Sequence, residues 1–239
     1  MLTLDSTEPR ACYIAAECYR LLRFLDEAEQ YFRLSIQRDP SFSPVWSGLS
    51  AVLFDQLRFE EAERCQYRAI RCNPSNPEAY YHRALSRERK SDPLGAARDY
   101  RRAYRLDPHA YPKPVSLEED AILSVLNEAV NSLHPSIAGY LSQITIKIQD
   151  VPETGMLLQY APPAPPSEMI GYFSGLTVPD KPDSSTQALP GTFFLFQKNL
   201  ERIAWDKDRI VDELRATVFA ELSDYLGLTA QDLSVPSQE

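Results

Sequence analysis

The sequence predicts a mainly α protein, a helical repeat solenoid followed by a small α+β domain. Three observations carry that prediction. A 34-residue period runs through the first half. The charge balance changes sign near residue 110. The second half then shows short apolar segments ahead of one long amphipathic helix.

The period is set by small residues and prolines. Ala28, Ala62 and Ala96 share a register, as do Ser35, Ala69 and Ala103, and Ala16, Ser50 and Ala84. Small side chains at such positions let paired helices approach closely. Pro40, Pro74 and Pro108 keep the same step and end the second helix of each pair, because proline cannot continue the hydrogen-bond ladder. Asp26-Glu27, Glu60-Glu61 and Pro93-Leu94 supply helix-start chemistry. The copies are 9–42, 43–76 and 77–110, after an N-terminal tail at 1–8.

Residues 9–110 hold 17 Lys+Arg against 14 Asp+Glu, whereas residues 111–239 hold 8 against 18. The halves therefore differ in character, which supports two domains. The whole chain carries a formal charge of −9, which argues against nucleic acid as a partner, since phosphate binding needs a basic surface. Cys12, Cys18, Cys65 and Cys72 form no C-x-x-C pattern and read as reduced thiols on helices. No signal peptide or membrane-spanning run is evident, so the expected location is cytoplasmic, without membrane insertion.

The first half resembles the tetratricopeptide repeat. That resemblance implies a concave face lined by the first helix of each repeat, here Tyr13, Glu17, Arg20, Ser47, Phe54, Tyr81 and Arg89, and a protein or peptide as partner. Chaperone-binding members hold a carboxylate with a lysine and asparagine clamp. Tyr13 and Glu17 stand at the corresponding first-repeat positions, so no clamp is expected. Tyr80-Tyr81-His82 reads either as an aromatic contact patch or as core and partly exposed surface.

Residues 111–115 form a stiff connector with two prolines. Ser116 and Glu119 are spaced as a capping box before a helix with Ala121, Ile122, Val125, Leu126, Ala129 and Leu133 on one face. Strands are expected at 143–149, 169–173 and 191–196, with proline-rich loops between them. A long helix from about 206 to 226 follows, closed by Gly227, with a tail at 234–239.

This order resembles the small zincin-like, minimal metallopeptidase-like domain found in many bacteria, over residues 116–233. Such domains carry H-E-x-x-H-x-x-G and then an acidic third ligand. Carried over, the first histidine falls on Ala220, the glutamate on Glu221, the second histidine on Asp224, the glycine on Gly227 and the third ligand on Ala230. Zinc requires about three protein donors, and the alanines supply none. The expectation is a non-catalytic adaptor without cofactor, its groove binding a protein or peptide and its degenerate domain serving as a second binding or structural module. The alternatives are a zinc-dependent metallopeptidase with an unorthodox metal site that captures substrate on its repeats, and a second half that merely caps the solenoid.

Overall fold

The structure is a computed structural model that describes residues 8–131, 144–175, 191–204 and 207–226. Its contacts divide the chain into two compact units. One comprises Met1–Lys113 with Leu157–Ser167, the other Pro114–Met156 with Glu168–Glu239.

The first unit is a helical repeat solenoid of three helix pairs: α1 (Pro9–Leu21) with α2 (Leu25–Arg38), α3 (Ser43–Asp55) with α4 (Phe59–Cys72), and α5 (Pro77–Arg89) with α6 (Pro93–Leu106). The small residues do what their spacing implies. Ala16, Ser50, Ala84, Ala28, Ala62, Ser35, Ala69 and Ala103 are completely buried, and Ala96 nearly so. Phe32, Val45, Leu49, Val52 and Leu53 fill the space between the pairs. Helix α3 is apolar on nearly all sides, as an internal helix must be.

Each turn within a pair repeats one conformation. Arg23, Leu57 and Ser91 have φ of 64°, 63° and 54°. Beyond them, the N–H groups of Phe24, Arg58 and Asp92 donate to the carbonyls of Tyr19, Leu53 and Arg87 at 2.8–2.9 Å. This is a Schellman closure that glycine usually serves. Here arginine, leucine and serine adopt it instead.

Helix α5 is capped by Asn76, whose side chain accepts from the Ala79 N–H at 3.3 Å and donates to Ser43 Oγ and Ser47 Oγ at 2.9 and 2.8 Å. Buried Asp99 accepts from Arg83 Nε and Nη2, both at 2.7 Å, and lies 3.0 Å from Arg87 Nη1. The four cysteines are free, Cys12 and Cys65 buried and Cys18 and Cys72 exposed.

The second unit contains α7 (Glu119–Asn131), β1 (Thr145–Gln149), β2 (Gly171–Ser174), β3 (Thr192–Phe196), α9 (Gln197–Ile203) and α10 (Lys207–Leu226). The one-turn helix α8 (Thr154–Leu157) ends at the boundary between the units. The strand order is β1-β3-β2, with β1 parallel and β2 antiparallel to β3. Ile122, Leu126, Phe173, Phe193, Leu195, Leu200, Ile210, Leu214 and Val218 form the core between sheet and helices.

Several expectations need correction. Helix α7 starts at Glu119, so Ser116 and Glu119 do not make a capping box. Instead the Leu117 N–H donates to Glu201 Oε1 at 3.1 Å, and the Val115 N–H to the Glu201 carbonyl at 3.0 Å. Strand β2 is displaced toward its C-terminal end: it spans Gly171–Ser174, with the Ile170 carbonyl just ahead of it accepting from the Phe196 N–H at 3.0 Å. Helices α8 and α9 were not expected. Leu133, His134, Gly227 and Thr229 lie outside the described residues.

Candidate functional site

Two regions carry the residues singled out by sequence. The first lies on the leading helices of the repeats. Tyr13, Glu17 and Arg20 are half-buried on α1, and Arg20 donates to Glu17 Oε2 from Nε at 3.0 Å and Nη2 at 2.7 Å. Burial pushes the Tyr13 hydroxyl up to about 12, with Glu17 and Glu78 adding to the effect.

Tyr81 packs its ring against Tyr100 and Tyr111, with centroids 5.6 and 5.3 Å apart. Arg89 lies over the Phe59 ring at 4.1 Å, and burial lowers its guanidinium from the usual arginine value. Ser47 and Phe54 sit in the interior instead. Ser47 is completely buried beneath the Asn76 amide, and Phe54 packs edge-on to Phe59. Tyr80 donates from its hydroxyl to the Pro74 carbonyl at 3.2 Å and lies beneath Arg83 and Arg102.

The second region is the junction of α10 with β2. Leu214 and Val218 point into the core and Thr217 faces the sheet, where a Cβ added at Gly171 would lie 3.1 Å from Thr217 Cγ2 and 2.9 Å from Phe193 Cζ. Glycine at 171 therefore sets how closely helix and strand approach. One turn on, Ala220 is exposed and Glu221 half-buried. Glu221 Oε2 accepts from the Phe173 backbone N–H at 2.9 Å. Among the described residues β2 is the last in the sheet order, and the carboxylate engages one of its outward N–H groups. Burial raises the neighbouring Tyr172 hydroxyl, with the Glu221 charge adding to it.

These residues do not fit a zincin metal. Ala220 has no donor atom, and neither does Ala230, which lies outside the described residues. Asp224 belongs to α10, but its side chain is also outside them. Glu221 spends one carboxylate oxygen on the backbone of β2. Among the described residues, no group of three or more His, Cys, Asp or Glu is placed to hold a metal ion.

Sequence reasoning missed Glu201. Only 5% exposed, it gathers the Leu117 N–H, Gln197 Nε2 at 3.0 Å and Lys198 Nζ at 2.8 Å, binding the entry to α7 onto α9. Its only sequence signal was a charged residue amid the apolar Leu200 and Ile203.

No curated protein matches the chain. Among solved structures, the first tetratricopeptide domain of Spaghetti (RPAP3), bound to HSP90 peptide SRMEEVD, is 23% identical over 46% of this chain and 86% of that one, with a TM-score of 0.41. MamA is 18% identical over 46% and 64%, with a TM-score of 0.40. The Arabidopsis OM64 tetratricopeptide domain is 20% identical over 42% and 83%, with a TM-score of 0.40. Residues 9–42 match the tetratricopeptide repeat model, and residues 141–236 match the model described as zincin-like metallopeptidase. Over these stretches the chain is similar to the tetratricopeptide repeat and to the zincin-like metallopeptidase.

Proposed function

We propose that this chain is a non-catalytic adaptor. Its repeats bind a protein or peptide through the groove residues that keep exposed surface, Tyr13, Glu17, Arg20, Tyr81 and Arg89, and its zincin-like region serves as a second binding or structural module. The observation that carries the non-catalytic reading is the state of the α10 site, where Glu221 holds the edge of β2 beside an alanine in place of a ligand. A general base of the zincin kind acts on a metal-bound water, and these positions offer the metal too few donors. No helix among the described residues is long and apolar enough to cross a membrane. We place the protein in the cytoplasm, with protein rather than nucleic acid as its partner.

The test is affinity capture from native cell extract with the wild-type chain and a Tyr13→Ala/Tyr81→Ala/Arg89→Ala variant whose circular dichroism matches wild type. The groove reading expects the captured partners to be lost from the variant. Retention of the same partners would move binding elsewhere. Chelator-sensitive peptide cleavage abolished by Glu221→Gln would overturn the non-catalytic reading.

A further inference from the structure

A second surface of the repeats carries chemistry that the groove does not use. A cleft of about 540 Å³ opens among α2, α3 and α4. Ile36, Leu49, Leu53 and Cys65 line it, with Leu49 and Leu53 each 1% exposed. Trp46 also lines it, its indole N–H fixed on the Pro40 carbonyl at 2.9 Å. Burial holds the Cys65 thiol up at about 11, which keeps it a neutral part of an apolar wall rather than a nucleophile.

Around this lining stand Arg33, Arg64, Arg68 and Arg71. The last three recur at four- and three-residue steps on α4 and so form one stripe along that helix. Arg33 is paired with Glu29 at 2.7 Å. Arg64, Arg68 and Arg71 are exposed and have no hydrogen-bond or ion-pair partner among the described residues. Elsewhere in the repeats Arg20 pairs with Glu17, Arg58 with Glu29 and Glu61, and Arg83 with Asp99, whereas Arg98, Arg102 and Arg105 repeat the α4 stripe on α6 without an ion pair among the described residues. Solvation alone would explain scattered arginines, and Arg71 also complements the C-terminal dipole of α4. At the α4 stripe, though, three arginines stand beside an apolar cleft with an oriented indole, and Glu61, which Arg58, with Arg33 and Arg64, holds below the usual carboxylate range, is the one carboxylate in the lining.

We propose that this cleft docks an acidic peptide segment of a partner protein. A Phe or Leu side chain of that segment seats against Ile36 and Trp46, the apolar lining residues that keep exposed surface, and flanking carboxylates pair with Arg64, Arg68 and Arg71. Arginine's planar fork suits bidentate carboxylate pairing. The apolar lining favours a peptide over nucleic acid, and the net charge of −9 on the whole chain opposes a polyphosphate partner.

The probe is a short fluorescein-labelled peptide with one Phe between runs of Asp and Glu, titrated into the full chain and read by fluorescence anisotropy. Saturable binding is expected, weakened on the order of tenfold by Arg64→Glu/Arg68→Glu/Arg71→Glu and comparably by replacing the peptide Phe with Ser. Tyr81→Ala, in the groove, should leave it unchanged, which separates this site from the groove reading. Circular dichroism establishes that the triple variant folds, and Arg68→Gln alone, a milder surface change, should weaken binding in the same direction. Four results would overturn the proposal: no saturable binding, affinity indifferent to the arginine changes, equal affinity for the Phe-free peptide, or tighter arginine-dependent binding of a single-stranded oligonucleotide.

Discussion

The Glu221 carboxylate separates a structural account of the α10 site from a catalytic one. In the structure it accepts the Phe173 N–H at 2.9 Å, joining residues 48 positions apart. A buried hydrogen bond to a charged group contributes about 1.5–3 kcal/mol. Glu221 is half-exposed and water can recover part of that, so Glu221→Ala should destabilise the second unit by about 1–2 kcal/mol. Glu221→Gln keeps an acceptor oxygen and loses only the charge, so its cost should be about half as large. Urea unfolding followed by circular dichroism gives the first quantity. Amide hydrogen exchange gives a local one, because the Phe173 amide should exchange faster in Glu221→Ala than in wild type. A general base held only for chemistry predicts unchanged stability and unchanged exchange at Phe173, and that pair of results would refute the structural role.

Three further outcomes follow from the same geometry. Leu57→Gly relieves a left-handed residue at φ 63° and should raise stability by about 0.5–1 kcal/mol in urea titration, after allowing for the looser unfolded chain. A loss instead would mean that the leucine side chain outweighs the backbone strain. Gly171→Ala should destabilise by about 1–3 kcal/mol, because its methyl would press on Phe193 and Thr217 across the helix–sheet junction. Glu29 provides a pH prediction. Burial raises its carboxyl, but hydrogen bonds from Arg33 and Arg58 outweigh it and the net shift is downward from 4.5. A depressed carboxyl stabilises the fold above its unfolded value and loses that contribution as pH falls through the folded value. Acid should therefore lower the urea midpoint below pH 4.5 by more in wild type than in Glu29→Gln.

The repeats were legible because their signal is additive: small residues in three registers, and the prolines that follow each second helix, recur in all three copies. The turns between paired helices were not, because Arg23, Leu57 and Ser91 share no side-chain chemistry, only a backbone conformation. In the second unit, the strand and long-helix assignments followed alternation and apolar stripes. Helix α9 escaped because it begins at Gln197, immediately after β3, with no turn residue between them. Helix α8 lay hidden in a proline-rich stretch. The capping box at Ser116 was a local match defeated by a distant partner, Glu201. The α10 site was legible as a set of missing donors, since an alanine is empty in any fold. What Glu221 does instead could be learned only from the strand packed beside it.

Metal content separates an emptied zincin site from a working one. Protein purified without chelator and analysed by plasma mass spectrometry should contain no stoichiometric zinc. The Ala220→His/Asp224→His/Ala230→Asp variant should gain zinc affinity if the scaffold retains the zincin arrangement. One zinc per wild-type chain, together with peptide cleavage that chelator abolishes, would contradict the account.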